Sequence, residues 1–362
     1  MSEAIKKSLP ASLDRGEGGS GGDETIIKIE NSSKLAVIEL STKAVKMIIG
    51  DTRSINGEFD FADYKNFAEL TNTGESNSAD NIIDFDIFFK KVFPAVDKML
   101  NIARGYKVGA VYSVATAVYR SAIEREKILE YIKDKFGLNV RIISKEEEAL
   151  ASFDAFRFSG KKYIGAGVEN ILMIDQGGGS TQVLVRKGSD LEFNYSVDLG
   201  TVSLKNEMAN ILKNDGSLAD ALKTIRSKIK ERLEIPLEKH SIGHDIDCCV
   251  GLGTAITRST GVRSNKYQHG MVLAKNKIAE KIEMIGEEIM LTEKKYLDFI
   301  FKTYNKPIDY KYFDNTLSMF LGLPIYLEIM DKYKADKIIV SGTALRYGIF
   351  WQKASKINSL SI

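Results

Sequence analysis

A glycine-rich turn is the segment of this sequence with the clearest chemical meaning. Such a turn leaves successive backbone N–H groups unobstructed, so that they can surround an oxyanion. A structural hairpin turn is the alternative, but a hairpin does not need three consecutive glycines. Two hydroxyl side chains follow and add further donors. We therefore predict a phosphate-binding turn formed by Gly177, Gly178, Gly179, Ser180 and Thr181.

An aspartate lies at the end of the apolar stretch that leads into this turn. Asp175 would place a carboxylate beside the bound phosphate. Such a contact is unfavourable unless the carboxylate orients water or holds a metal ion. One of these two roles is therefore predicted for Asp175.

Three glutamates open a predicted helix in the segment Ser144-Lys145-Glu146-Glu147-Glu148. Acidic residues complement the positive end of a helix dipole, which explains the cluster in structural terms. The functional alternative is that one glutamate is a general base that takes a proton from attacking water. The residues alone leave both interpretations open.

An arginine and a second turn complete the set of candidates. Arg120 lies just past a predicted strand, at the edge where α/β folds place ligands. Its guanidinium could bridge phosphate oxygens, and a solvated surface arginine is the alternative. The second turn carries hydroxyls and a lysine that suit phosphate, but no glycine; it consists of Ser41, Thr42, Lys43 and Ala44.

The elements that position these residues occur twice along the chain. A strand–turn–strand pattern spans 35–51 and again 170–187, each time followed by a further strand and then helices. This coarse duplication predicts two related α/β lobes with a cleft between them. We place a flexible, glycine-rich tail at 1–33, the N-terminal lobe at 34–153 and the C-terminal lobe, with a closing helix, at 154–362.

Within the lobes, the pattern predicts a third strand over 58–67 and an amphipathic helix over 81–102. Gly137 is predicted to end a helix in the left-handed conformation. Helices are expected to fill 271–330, and the closing helix to span 344–353.

Composition excludes several classes of function. The chain has 362 residues with 51 basic and 49 acidic side chains, so net charge gives no reason to expect sequence-specific nucleic-acid binding or an anionic membrane partner. It shows no apolar run of transmembrane length and no signal peptide, which predicts a cytoplasmic protein. Cys248 and Cys249 are read as reduced core residues, and the three histidines lack metal-ligand spacing.

Taken in order, these segments resemble the exopolyphosphatase/guanosine pentaphosphate phosphatase (Ppx/GppA) family. Residues 36–44 resemble its A-x-I-D-L-G-S-N-S, 115–120 its A-T-x-x-L-R, 143–149 its I-S-G-x-E-E-A and 174–182 its I-D-I-G-G-G-S-T-E. Three more segments are similar to the family's P-L-G-A-V-R-L, G-x-G-G-T-A and V-S-G-G-A-L-R-E-G: 198–204, 251–255 and 340–348.

The resemblance implies duplicated actin/Hsp70/sugar-kinase-like (ribonuclease H-like) lobes. It also implies hydrolysis of the terminal phosphoanhydride bond of polyphosphate or guanosine pentaphosphate with Mg²⁺. Carried over by position, Glu148 activates water, Asp175 aligns that water or binds the metal, Arg120 assists, and Glu39 is a second candidate metal ligand. The resemblance also implies that the two turns bind phosphates. A homodimer and a protein partner for residues 1–15 are further expectations.

Several residues depart from the family pattern. Glu39 replaces aspartate, Ser41 glycine, Lys43 asparagine and Gln182 glutamate, and Ser203 and Tyr347 replace arginine and glutamate. These changes favour an alternative function: a catalytically impaired relative that binds a phosphorylated ligand or a protein partner as a regulator. A sugar- or acetate-kinase-like transferase is a third hypothesis.

Overall fold

The computed structural model of the protein describes residues 27–28, 32–56, 58–75, 82–83, 85–165, 167–188, 190–214, 216–261, 268–301 and 307–359. Most of the predicted tail therefore lies outside the described residues. The strands are β1 (Ile27–Lys28), β2 (Lys34–Leu40), β3 (Ala44–Asp51), β4 (Tyr64–Leu70), β5 (Ala110–Ala115), β6 (Arg141–Ile142), β7 (Asn170–Gln176), β8 (Thr181–Lys187), β9 (Asp190–Val197), β10 (Cys248–Gly253), β11 (Val272–Ala274) and β12 (Lys337–Val340).

Helices connect and cover these strands, and a π-helical turn, Phe88–Val92, joins the first two of them. They are α1 (Phe85–Ile87), α2 (Phe93–Gly105), α3 (Ala117–Ser121), α4 (Arg125–Phe136), α5 (Lys145–Ser159), α6 (Thr201–Lys213), α7 (Leu218–Lys239), α8 (Thr254–Ser259), α9 (Lys275–Leu291), α10 (Glu293–Ile300), α11 (Pro307–Lys332) and α12 (Leu345–Ser359). No helix in the described part of the chain is long and apolar enough to span a membrane.

The strands form two mixed sheets that share one topology. In the first sheet the order is β4-β3-β2-β5-β6, with β1 also paired to β5; in the second it is β9-β8-β7-β10-β12, with β11 beyond β12. In each, an antiparallel three-stranded meander is followed by two parallel strands. The same order and the same strand directions confirm the predicted duplication of α/β lobes.

Helix α5 contributes to both hydrophobic cores. Ala151 and Ala155 pack into the cluster on one face of the first sheet, whereas Phe153 and Phe156 pack into a cluster with the second sheet. Full burial of one phenylalanine contributes roughly 1.5–3 kcal/mol. The helix is therefore fixed between the lobes, and its N-terminus, where the three glutamates lie, is fixed with it.

The closing helix α12 packs against the first sheet. Tyr347, Phe350 and Trp351 lie in the same buried cluster as strand residues Val37 and Ile48. The chain thus returns from the second lobe to cover the first.

Most element predictions are confirmed, with differences at element ends. Gly137 has φ 66 and caps α4, as expected. The third strand begins at Tyr64 instead of residue 58, because a 3-10 turn capped by the Asp60 side chain precedes it. The helical prediction over 271–330 is wrong at Val272–Ala274, where β11 pairs with β12. Such a short apolar run has no periodicity that separates strand from helix.

Candidate active site

The two predicted phosphate-binding turns occupy equivalent positions in the two sheets. Each closes an antiparallel hairpin, β2–β3 or β7–β8, with the same backbone hydrogen bond. Ser41 N–H donates to Ala44 O at 3.0 Å, and Gly177 N–H donates to Ser180 O at 2.8 Å. The strand registers then place Glu39 opposite Lys46 and Asp175 opposite Gln182. The two acidic residues are therefore related by the duplication.

The structure brings the two turns into contact. A Cβ built on Gly178 would lie 3.3 Å from the Thr42 Cβ, and one built on Gly179 would lie 3.1 Å from the Thr42 hydroxyl oxygen. Thr42 of the first turn therefore covers the glycines of the second. A methyl group at either position would require its neighbours to shift by a few tenths of an ångström, so that bulkier side chains would push the turns apart.

Helix α6 fixes the glycine turn through backbone hydrogen bonds. Gly178 O accepts hydrogen bonds from Val202 N–H at 2.8 Å and Ser203 N–H at 3.2 Å. Gly200 permits this approach, because a Cβ there would overlap the Gly178 carbonyl. Among the described residues, the N–H groups of Gly178 and Gly179 have no hydrogen-bond acceptor. They are available to an oxyanion.

The turn hydroxyls mainly stabilise the turns themselves. Ser41 Oγ donates to Ala44 O at 2.8 Å, and Thr181 Oγ1 donates to Leu199 O at 2.6 Å. Ser180 Oγ accepts from Gln182 Nε2 at 2.8 Å. The hydroxyl protons of Ser41 and Thr181 are therefore already donated within the protein.

The three glutamates at the N-terminus of α5 have different surroundings. Glu147 completes a capping box: its carboxylate accepts from Ser144 N–H at 2.9 Å and also pairs with Arg141. Glu146 is exposed. Glu148 instead pairs with Arg120, with 2.9 Å between its Oε2 and the arginine Nη1. Of the three glutamates, Glu148 is therefore the one whose carboxylate forms an ion pair with another predicted site residue.

Burial changes the acidity of the Glu148 carboxyl. Burial raises the pKa of its carboxyl to about 7, even though the charge of Arg120 opposes that shift; the negative charges of Asp175 and Glu39 act with burial. Arg120 is held by a second bond, from Nη1 to Ile143 O at 2.8 Å. Its buried Nη2 has no hydrogen-bond partner among the described residues.

Glu39 is neutralised by two cations. Its Oε1 accepts from Lys46 at 2.9 Å and its Oε2 from Arg346 at 2.7 Å. Burial alone would raise the pKa of this carboxyl, but Lys46 and Arg346 together lower it to about 2. Glu39 is thus ionised at neutral pH, and both of its carboxylate oxygens are engaged.

Asp175 has a different environment. Burial raises the pKa of its carboxyl, and the charge of Glu39 acts in the same direction, whereas Ser152 and the charge of Lys46 oppose the shift. A cation at this position would relieve both effects. Among the residues that the structure describes, no group of three or more His, Cys, Asp or Glu side chains is placed to hold a metal ion. A metal here would therefore take most of its ligands from water and substrate.

Lys46 and Arg346 are functional candidates that the sequence reasoning did not single out. Lys46 could have been found by writing out the hairpin register, because it lies directly opposite Glu39. Arg346 could be recognised only within the motif at 340–348. It follows Glu39 by 307 positions in the chain, so only the packing of α12 on the first sheet brings the two together.

Two sheets of identical topology, with facing hairpin turns at their junction, define an α/β protein of the actin/Hsp70/sugar-kinase class. Residues 71–357 match the model of the Ppx/GppA phosphatase family. The chain belongs to this family.

Solved structures agree with this assignment at the level of the fold. The Aquifex aeolicus member of the Ppx/GppA family superimposes with a TM-score of 0.66 at 21% identity and covers 90% of this chain and 98% of its own. An exopolyphosphatase from Cytophaga hutchinsonii gives a TM-score of 0.66 at 15% identity, covering 89% of this chain and 98% of its own.

The curated relatives match this chain over only part of their own length. A guanosine-5'-triphosphate,3'-diphosphate pyrophosphatase of Vibrio parahaemolyticus is 24% identical over 69% of this chain and 46% of its own length. A bifunctional 3-dehydroquinate synthase/phosphatase of Fusobacterium nucleatum is 23% identical over 87% of this chain and 46% of its own length. The matched part is about half the length of these relatives.

Proposed function

We propose that this protein hydrolyses the terminal phosphoanhydride bond of inorganic polyphosphate or guanosine pentaphosphate. The observation that carries the proposal is Glu148, a carboxyl with a pKa of about 7 beside Arg120 and close enough to Asp175 for their charges to interact. A base with a pKa near neutrality suits proton abstraction from water. Membership of the Ppx/GppA phosphatase family supports the same class of reaction.

In the proposed reaction, Glu148 takes a proton from a water molecule whose oxygen bonds to the terminal phosphorus. The bond from that phosphorus to the bridging oxygen breaks, and orthophosphate and a chain shorter by one phosphate leave. Arg120 Nη2 and the N–H groups of Gly178 and Gly179 stabilise the phosphoryl oxygens. Phosphoryl transfer depends on such positioning and charge neutralisation more than on covalent chemistry.

The proposed reaction uses Mg²⁺ as its metal ion. Asp175 would hold the ion, since its raised pKa reports a buried carboxylate near another negative charge. Mg²⁺ commonly takes one or two carboxylates and completes its ligands with water and substrate phosphates. Glu39 is the weaker candidate, because Lys46 and Arg346 engage both of its oxygens. When bound, the ion would neutralise charge on the phosphates.

The test is phosphate release from polyphosphate and from guanosine pentaphosphate by the purified protein. Glu148→Gln should lower kcat by about 100-fold or more, the usual loss when a general base is removed. Asp175→Asn should raise the Mg²⁺ concentration needed for half-maximal activity.

Glu146→Gln is the matched control, because Glu146 lies on the same turn of α5 but is exposed. It should retain wild-type activity. Release of phosphate at wild-type rates by Glu148→Gln would overturn the assignment of the base. Tight binding of either substrate by the wild-type protein, without turnover in Mg²⁺ or Mn²⁺, would overturn the proposal that the protein is a hydrolase.

A further inference from the structure

His269 is a buried histidine whose two ring nitrogens both have backbone partners. Its side chain is 5% exposed. Nε2 lies 3.1 Å from Ser159 O, and Nδ1 lies 3.1 Å from the backbone nitrogen of Gly342. Because a carbonyl oxygen only accepts and a backbone N–H only donates, Nε2 carries the proton and Nδ1 carries none. The two contacts therefore fix the imidazole in its neutral form.

These two partners lie at the ends of the two helices that carry site residues. Ser159 is the last residue of α5, and Glu148 lies at the other end of that helix. Gly342 lies in the turn 341–344 that precedes α12. The second residue of α12 is Arg346, one of the two cations that neutralise the first-lobe carboxylate. His269 thus joins the end of α5 to the beginning of α12.

The surroundings of the ring are largely aromatic. Phe59 and Phe61 of the first lobe lie with their ring centroids 5.8 and 5.4 Å from the imidazole, and Phe156 of α5 lies 6.2 Å away. A proton on Nδ1 would break the bond from Gly342 N–H and leave a buried charge among these rings. The contact between the two helices therefore requires the neutral imidazole.

Burial has the largest effect on the acidity of this imidazole. It lowers the pKa of His269, and the charge of Lys162 acts in the same direction, whereas the bond to Ser159 O opposes the shift. Tyr163 also contacts the ring, at 5.2 Å. The turn 341–344 has no titratable side chain. The loop that carries the two phenylalanines has three acidic residues, which are exposed: Glu58, Asp60 and Asp63.

We propose that His269 is a positioning residue that, as a neutral imidazole, holds the end of α5 against the beginning of α12. Protonation of Nδ1 releases the turn before α12, and Arg346 then loses its fixed position relative to Glu148. Only the expected effect on the rate of phosphate release rests on the proposed function.

The first test is nitrogen-15 NMR of protein labelled at its three histidines. His240→Gln and His244→Gln identify the signals of the third ring by elimination. That ring should carry its proton on Nε2 and should stay neutral as the pH falls through 6.5, the ordinary histidine value. A proton on Nδ1 in the neutral form, or titration near pH 6.5, would overturn the proposal.

The second test is urea unfolding between pH 5 and 8. Below pH 6.5 the unfolded chain binds a proton at His269 that the folded protein excludes, so the stability is complete above that pH and falls towards the lowered pKa. With each pH unit of acidification, the unfolding equilibrium constant of the wild type should rise by up to about tenfold more than that of His269→Asn, which does not titrate. Equal slopes in these two proteins would contradict the proposal.

His244→Gln is the control of opposite sign. Glu192 raises the pKa of His244, so this histidine contributes stability in acid. Its removal should make the loss of stability below pH 6.5 steeper than in the wild type. A shallower loss would show that the slope does not report single histidines.

Phosphate release tests the positioning role. His269→Asn keeps an acceptor for Gly342 N–H and should retain most of the wild-type kcat. His269→Phe keeps a ring but lacks the acceptor, and should lower kcat about tenfold with little change in KM, because it misplaces Arg346 and leaves the phosphate-binding turns intact. Equal kcat in both variants would overturn the positioning role. If the wild-type protein releases no phosphate, the hydrolase proposal fails, and NMR and unfolding decide the role of His269.

Discussion

At the scale of single residues, three carboxylates at the junction of the lobes differ in charge because their neighbours differ. Two cations lower the pKa of Glu39 to about 2, whereas burial raises that of Glu148 to about 7 and that of Asp175 as well. Because environment separates their pKa values, carboxylates of one site are suited to different tasks: a fixed charge at Glu39, and the proposed base and proposed metal ligand at Glu148 and Asp175.

The pKa of Glu148 leads to a prediction for the pH dependence of activity. Only the ionised carboxylate can accept a proton, and its fraction rises as the pH passes upward through about 7. The value of kcat/KM should therefore increase about tenfold per pH unit below that pH and level off above it. Initial rates on polyphosphate at saturating Mg²⁺, from pH 5 to 9, measure this.

The same pH profile should be measured for the Arg120→Met variant. The arginine charge lowers the pKa of Glu148, so its removal should move the ascending limb to higher pH in addition to lowering the rate. An ascending limb near the ordinary glutamate pKa of 4.5 in the wild-type protein would contradict the prediction.

At the scale of elements, α5 is the helix that positions Glu148, the proposed base. Its N-terminus is fixed by the capping box of Ser144 and Glu147, and its body is buried between the two sheets. The closing helix α12 packs tightly against it, since a Cβ on Gly348 would overlap the carbonyl oxygen of Ala151.

This contact predicts the effect of enlarging Gly348. Gly348→Ala should lower the free energy of unfolding by about 1–3 kcal/mol, because α12 must move away from α5 to accept one methyl group. Urea unfolding followed by circular dichroism measures the change. Because Glu148 is on α5, phosphate release should fall as well.

Gly105→Ala is the matched control. Gly105 is at the end of α2, and a Cβ there would meet no atom within 4 Å. The free energy of unfolding should stay the same or rise by up to about 1 kcal/mol. Equal destabilisation by the two substitutions would show that the close packing at Gly348 is not the cause.

At the scale of the whole molecule, polar contacts near the turns join the two lobes. Lys43 reaches Asp314 across the junction, and Asn206 Nδ2 donates to Gly74 O at 3.0 Å. A ligand held by both turns would add to these contacts in the folded state only. Ligand binding should therefore stabilise the protein as one unit.

The expected size follows from mass action. With Glu148→Gln, tripolyphosphate and Mg²⁺ at 100 times the dissociation constant should raise the free energy of unfolding by about 2.7 kcal/mol. Thermal unfolding at increasing ligand concentration measures it. Gly178→Val should lose this stabilisation, because its side chain would meet Thr42 and Val202. Full stabilisation in that variant would place the ligand elsewhere.

The duplication, the two hairpin turns and the position of Glu148 on a helix N-terminus could all be predicted from the sequence. They depend on local patterns: apolar strands on either side of short turns, and the succession of glycines at 177–179. The assignment of Glu148 among three glutamates needed the family motif, since helix geometry alone does not say which one faces the other lobe.

The neutralisation of Glu39 by Arg346 and the bridging of Lys43 and Lys205 by Asp314 were decided by the tertiary structure alone. These partners come from distant parts of the chain, and no spacing rule relates them. The physical reason is that a charge state depends on burial and on neighbours a few ångströms away, which only the packed lobes define.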